Sequence, residues 1–247
     1  MNILLKSDLP TKAFKFKQFT VEQDRCAMKI TTDSVLLGAW ADSDGAKSIL
    51  DIGTGTGIIA LMLAQRNAQA EIHGVEIDSD SAEQASSNFK ASPWADRLRV
   101  HRSAVQDFDK THFGSFDLIV SNPPFFTGGV IATRETRNHA RNTVRLPHGD
   151  LLQVVRRRLS ENGRFCLVLP LLEGLRFREM AENTYGLQCT RLTEVRSKAH
   201  KPVERLLMEF ALAQGPVREC SDLVLQGDDG SLTDAYTSLT KMFYLNL

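Results

Sequence analysis

The chain has no excess of either charge: its 247 residues carry 30 Lys and Arg against 30 Asp and Glu. No global field draws it to nucleic acid or to an anionic membrane, so any such binding must rest on a local patch. It has only four cysteines, Cys26, Cys166, Cys189 and Cys220, far apart and without a CxxC pair. With no signal peptide, this pattern is expected of reduced thiols in a cytoplasm, not of a disulfide framework. Apolar runs such as Cys166–Leu172 are far too short to span a bilayer, so no membrane partner is expected. The six histidines are scattered, none at ligand spacing from another His or Cys, and no metal is expected. There is no Pro-, Gly- or Ser-rich linker and no repeat. One domain spanning 1–247 is the expected organisation, with 1–13 flexible, and a monomer is the expected state.

What is present is ordinary globular composition, 42% hydrophobic and 24% charged. Phe14, Phe16 and Phe19, broken by Lys15 and Lys17, suggest a short strand or hairpin. A helix around 34–40 follows, with Thr31, Thr32 and Asp33 as cap-like residues. Then a rhythm begins. Strands are expected at 48–51, 71–76, 98–101, 116–121 and 164–169, and helices at 58–66, 79–91 and 150–160, the last ended by Asn162-Gly163. Strands alternating with helices of this length predict βαβ units on a mostly parallel sheet. Further on, a helix is expected at 175–184, an antiparallel hairpin at the sheet edge from 187–195 and 205–213, and a last helix at 232–243.

Asp51-Ile-Gly-Thr-Gly-Thr-Gly57 follows a strand and opens a helix. The glycine spacing fails the dinucleotide pattern, because the third glycine would fall on Ile58, and no Lys-Ser/Thr follows to make a Walker loop. The acid before the first glycine would repel a pyrophosphate but suits a cationic amine or sulfonium. Another acid, Glu76, ends the next strand, and a carboxylate can accept hydrogen bonds from both hydroxyls of a cis-diol. The bland alternative is a tight βα turn and a surface acid.

The fourth expected strand of the rhythm ends in Ser121-Asn122-Pro123-Pro124-Phe125. One proline would suffice to stop a strand. A planar amino nitrogen, as on adenine or an amide, is a poor nucleophile because its lone pair is delocalised. The Asn122 amide oxygen and the Pro123 carbonyl can accept its two in-plane hydrogens and localise the lone pair. The prolines fix the carbonyl direction, and Phe125 offers a face for stacking.

Together these blocks resemble the class I S-adenosylmethionine-dependent methyltransferases, whose members acting on planar amino nitrogens carry [D/N/S]-P-P-[Y/F/W] at this position. The resemblance implies a Rossmann-like α/β fold, with a central, mostly parallel seven-stranded sheet and helices on both faces. It implies S-adenosyl-L-methionine as cofactor, with Asp51, Gly53, Gly55 and Gly57 at its amino-acid end and Glu76 on its ribose. It implies a catalytic set of Asn122, Pro123, Pro124 and Phe125. The acid that often reads the cofactor adenine aligns with Ala104, so that role falls to backbone groups at Ala104 and Val105, or to Asp107 by another route. No metal and no strong base are required, since the sulfonium is a good leaving group.

The motif does not separate an adenine N6 amine from a protein glutamine amide. Arg134, Arg137, Arg141 and Arg145 would share one helical face beyond the motif, a local basic stripe suited to RNA phosphates; the alternative is a solvated face or a loop. Arg156–Arg158 point three ways and read as ordinary surface, and Lys201–Arg205 on the substrate side reads as a plain loop, with an RNA contact as the alternative. Arg25-Cys-Ala-Met-Lys29, Thr32-Asp33, Leu36–Trp40, Ser92–Asp96 and the tail Ala235–Leu245 sharpen the resemblance to the bacterial tRNA1(Val) (adenine-37-N6)-methyltransferase family. That implies a cytoplasmic enzyme with tRNA as partner. It also implies that residues 14–45 pack over the cofactor, with Thr31 and Thr32 either touching its methionine end or serving as caps. Two rivals remain. One is an N5-glutamine methyltransferase acting on a release factor, which would want a larger domain before Asp51. The other is a non-catalytic RNA-binding module of the same fold, which has no need of both motifs intact.

Overall fold

The computed structural model describes residues 13–26, 28–111, 114–124, 146–212, 218–219 and 221–245. Phe125 and the arginine stripe at 134, 137, 141 and 145 lie outside the described residues, as does 1–12. The chain opens with a hairpin, β1 (Ala13–Lys15) and β2 (Thr20–Glu22), paired antiparallel. Helix α1 (Thr32–Trp40) starts two residues earlier than the sequence suggests, because Thr31 is its N-cap in a capping box with Ser34. The βα series then runs β3 (Ser48–Ile52), α2 (Ile58–Arg66), β4 (Glu71–Glu76), α3 (Ser79–Lys90), β5 (Leu98–Arg102), α4 (Val105–Thr111), β6 (Phe116–Ser121), α5 (His148–Arg158), β7 (Leu159–Pro170) and α6 (Leu171–Tyr185). The chain closes with β8 (Gln188–Lys198), β9 (Arg205–Ala211), β10 (Arg218–Glu219), β11 (Leu223–Gln226) and α7 (Asp234–Thr240).

The seven expected strands form one sheet in the order β8-β9-β7-β6-β3-β4-β5, with β9 antiparallel to both neighbours. The short β10 and β11 add to the open edge of β8 in parallel, end to end, so the β8–β9 hairpin is not quite the margin of the sheet. Expected and observed boundaries differ most between α5 and β7. Ser160–Gly163 does not separate them as a turn; it is taken into β7, and the register shifts between its pairings with Phe116 and Leu118.

Alternation along the strands builds two cores. Ile49, Leu118, Val120, Cys166 and Val168 face α1, α2 and the terminal hairpin. Leu50, Ile119, Phe165, Leu167 and Leu169 face α4, α5 and α6. Burial on both faces explains why these strands read as continuous apolar runs. Helix α1 is anchored at its far end, where Trp40 Nε1 donates to Thr193 Oγ1 at 3.1 Å and the Arg191 guanidinium lies 3.5 Å over the indole ring. Its first turn is anchored too, by an ion pair between buried Asp33 and Arg205, the first residue of β9. Among the described residues no helix is long and apolar enough to cross a membrane, and no cluster of metal-binding side chains occurs.

Candidate functional site

The chain runs outward from β3 through β4 to β5 and then crosses back from β5 to β6 on the other side of β3, so the strand order reverses between β3 and β6. At such a switch point the loops beyond the carboxyl ends diverge and open a crevice. Both sequence motifs emerge there. Ile52 pairs with Ser121, so Gly53 and Asn122 leave neighbouring strands at the same level, about one strand spacing (~4.8 Å) apart. Ser121 Oγ donates to Ile52 O at 2.9 Å and locks the two exits together. On the other side Ile52 pairs with Val75, which puts Glu76 beside Gly53.

The glycine turn has three left-handed residues: Gly53 at φ 73°, Gly55 at 54° and Gly57 at 83°. Their surroundings differ. Among the described residues, a β-carbon on Gly53 would meet nothing within 4 Å, and one on Gly55 would meet only Gly53 O at that limit. One on Gly57 would stand 2.5 Å from Phe89 Cε1. The first two glycines therefore face an open cradle, while the third makes room for helix α3. Gly53 and Thr54 amides donate to Val75 O, and Gly57 N donates to Thr54 O.

Glu76 closes the cradle. Its Oε2 accepts from Gly55 N at 2.9 Å and its Oε1 from Asp78 N at 3.0 Å. Each oxygen keeps a further lone pair, which suits a diol placed over the turn. Asp51 is fully buried beneath the turn. Its Oδ2 accepts from Thr54 Oγ1 at 2.7 Å, while Oδ1 is buried and has no hydrogen-bond partner among the described residues. Burial pushes this carboxyl up to about 7, against the lowering effect of the Thr54 hydroxyl. A cationic group settling in the crevice above it would favour the ionised form. Open space at two glycines, a carboxylate at the diol position and a buried acid with one orphan oxygen together fit S-adenosylmethionine.

The remaining expected residues are distributed as follows. Thr32 is the half-buried first residue of α1, and the cap role belongs to Thr31. Val105 is buried at the start of α4, and Ala104 O already accepts from Asp107 N, Phe108 N and Ser103 Oγ. Ala104 can therefore offer a ligand little more than its N–H. Asp107 is exposed and paired with Lys110 at 2.8 Å. Asn122 is half-buried and its side chain makes no hydrogen bond among the described residues; Pro123 is buried and Pro124 exposed. Arg205 pairs with Pro170 across β9 and β7, so the loop 199–204 lies at the same carboxyl edge as the site.

Sequence reasoning missed the supports. Asn88 and Gln84 are polar residues buried on the inner face of α3 at helical spacing with Ser81 and Ala85. Buried amides imply partners, but spacing alone does not identify them. Gln84 Oε1 accepts from Arg25 N at 3.1 Å, holding the segment 23–30 against α3. Within that segment Gln23 Oε1 accepts from Ile30 N, and Lys29 Nζ donates to Gln23 O and to Cys26 O.

Comparison with known proteins adds the following. The family model described as methyltransferase small domain matches residues 25–173. A tRNA1(Val) (adenine(37)-N6)-methyltransferase from Cronobacter sakazakii is 42% identical over 241 residues, 97% of this chain and 98% of the relative. The protein of that description from Trichodesmium erythraeum is 43% identical over 234 residues, 94% of this chain and 97% of the relative. A crystal structure of a predicted O-methyltransferase from Agrobacterium tumefaciens superposes with a TM-score of 0.67, at 16% identity, covering 87% of this chain and all of that one. At that identity the superposition speaks for the fold alone.

Proposed function

The chain belongs to the methyltransferase small-domain family and, within it, to the tRNA1(Val) (adenine(37)-N6)-methyltransferases, and from this premise we propose that it methylates N6 of adenine 37 in tRNA1(Val). The observation that carries the chemistry is the Asn122-Pro123-Pro124 exit from β6, one strand away from the glycine turn. S-adenosylmethionine, the family's cofactor, supplies a methyl group on a sulfonium whose departure leaves a neutral thioether. The protein's part is to position and to accept. Glu76 and the Gly53–Gly55 cradle hold the donor, and Asp51 lies below its cationic end. Asn122 Oδ1 and Pro123 O accept the two amino hydrogens of the target base as its nitrogen turns tetrahedral. Phe125 stacks on the base, and the stripe from Arg134 to Arg145 contacts RNA phosphates. Rate then comes from alignment and preorganised acceptors. The released proton passes to water.

We further propose that the chain acts as a single domain, as a monomer, in the cytoplasm. The test is to incubate the protein with methyl-labelled cofactor and total tRNA from a strain lacking the enzyme, then digest the tRNA and analyse it by mass spectrometry. N6-methyladenosine at position 37 of tRNA1(Val) is expected. Label on a release-factor glutamine with none in tRNA would replace this reading by the amide one. tRNA binding without cofactor binding would replace it by a non-catalytic module.

A further inference from the structure

We propose that Asn88 is a positioning residue that makes the amino-terminal hairpin part of the cofactor-binding apparatus. Its side chain is 2% exposed and saturated by two different segments. Toward the hairpin, Oδ1 accepts from Glu22 N at 2.9 Å and Nδ2 donates to Glu22 O at 2.8 Å. A primary amide thus pairs with β2 as a neighbouring peptide group would. Toward the glycine turn, the same Nδ2 donates to Thr56 O at 2.8 Å.

That second contact falls on a specific peptide. The Thr56–Gly57 unit has its carbonyl on Asn88 and its N–H on Thr54 O at 2.8 Å. Both ends are held, so the plane cannot rotate. The next residue on α3, Phe89, fills the space that a β-carbon on Gly57 would need. The other peptide of the turn behaves differently. Gly55 N rests on Glu76, the carboxylate a ribose would also use. Ligand hydroxyls would share Glu76 through its remaining lone pairs, so the Gly55 side of the turn answers to the ligand while the Thr56 side stays fixed. Asn88 is what fixes it. Because a single planar amide serves Glu22 and Thr56, a displacement of the hairpin is transmitted to the turn, and the reverse. The hairpin is held from the other side by Lys17 N donating to Phe243 O at 2.8 Å and by Tyr244 packed against Phe14 and Phe16.

This inference rests on the reading of the glycine turn as the S-adenosylmethionine site, and the experiment separates the two. The wild type, Asn88→Ala and Asn88→Asp are compared for S-adenosylhomocysteine affinity by calorimetry, tRNA affinity by filter binding, and turnover. Asn88→Ala is expected to weaken S-adenosylhomocysteine by about tenfold or more and to raise KM for S-adenosylmethionine in step, with kcat and tRNA affinity changed by no more than about twofold. Asn88→Asp keeps the acceptor for Glu22 N but turns a second oxygen on two carbonyls. Its cofactor affinity relative to wild type is expected to be poor near about pH 8 and to recover toward about pH 5.5, where protonation restores an O–H donor. Equal loss for cofactor and tRNA, or unaltered cofactor affinity in folded Asn88→Ala, would overturn the proposal. Should Asn88→Ala not fold, an affinity ratio for Asn88→Asp that is flat across pH would overturn it. A wild-type chain that binds no S-adenosylhomocysteine would overturn the reading of the turn as well.

Discussion

Replacing the glycines of the turn one at a time by alanine separates ligand space from packing space. All three sit at positive φ, and a β-carbon there costs about 1–2 kcal/mol whatever surrounds it. At Gly55 that is the whole structural cost, because the added methyl enters the open cradle. At Gly57 the methyl also lands 2.5 Å from Phe89 Cε1, which adds about 1–3 kcal/mol of overpacking. For a domain of this size roughly 2–4 °C of Tm accompanies each kcal/mol. Gly57→Ala should therefore melt several degrees below Gly55→Ala in the absence of ligand. The response to ligand ranks the two variants the other way. At a concentration of about 100 Kd, S-adenosylhomocysteine stabilises the wild type by about 2.7 kcal/mol. A methyl in its cradle that raises Kd about thirtyfold leaves under about 1 kcal/mol of this for Gly55→Ala, whereas Gly57→Ala keeps most of the shift. Differential scanning fluorimetry with and without S-adenosylhomocysteine reads both quantities. Combining Gly57→Ala with Phe89→Ala should cost less than the two added, since removing the ring removes the clash. Equal unliganded melting of the two glycine variants, or a full ligand shift in Gly55→Ala, would refute the division of the turn into an open and a packed half.

Three further outcomes are expected. Asn122→Ala should lower kcat by about a hundredfold or more while leaving S-adenosylhomocysteine affinity within about twofold; unchanged turnover removes Asn122 from the chemistry. Glu76→Gln gives up charge-assisted hydrogen bonds worth about 1.5–3 kcal/mol each, so calorimetry should show cofactor Kd rising at least about tenfold. An unaltered Kd would confine Glu76 to bracing Gly55 and Asp78. Asp51 has its carboxyl raised by burial from an ordinary 3.8 to about 7. The folded state then holds a proton that the unfolded state has lost, and stability from this group declines as pH rises between those values. Thermal melts of the unliganded protein from about pH 4 to pH 8 should fall more steeply for the wild type than for Asp51→Asn; parallel curves would mean that the carboxyl ionises freely.

Much of this was legible because the strands are buried on both faces and the turns between them carry glycine or proline. The bounds of α2, β4 and β6 agree with those read from the pattern, and those of β3, α3 and β5 differ by one residue. Helix α4 went unread because Gln106, Asp107, Asp109 and Lys110 leave only Val105 and Phe108 to mark an inner face. The start of β7 was misplaced because Ser160–Gly163 has turn composition, yet its register shift against β6 keeps it in the sheet. β10 and β11 are two and four residues long and owe their form to the free edge of β8. In the site, Asp51, Gly53, Gly55, Glu76 and Asn122 could be singled out because their residue types are unusual where they stand. Asn88 could not, because a helix interior conceals which backbone its amide will meet. Nor could the sequence say that Phe89 stands where a β-carbon of Gly57 would be.

The meeting of Lys17 with Phe243, and of Phe14 and Phe16 with Tyr244, also has a consequence in time. The hairpin leaves the ribosome well before these partners do. Until they emerge, Phe14 and Phe16 lack the cover of Tyr244, while the βα series between can already fold. Its final seat, and with it the brace on Thr56, is available only once residues 243 and 244 have emerged. A nascent or truncated chain can thus own a folded sheet and a complete Asn-Pro-Pro exit and still hold its cofactor poorly. On the role proposed for Asn88, tight cofactor binding then depends on residues 243 and 244 being in place.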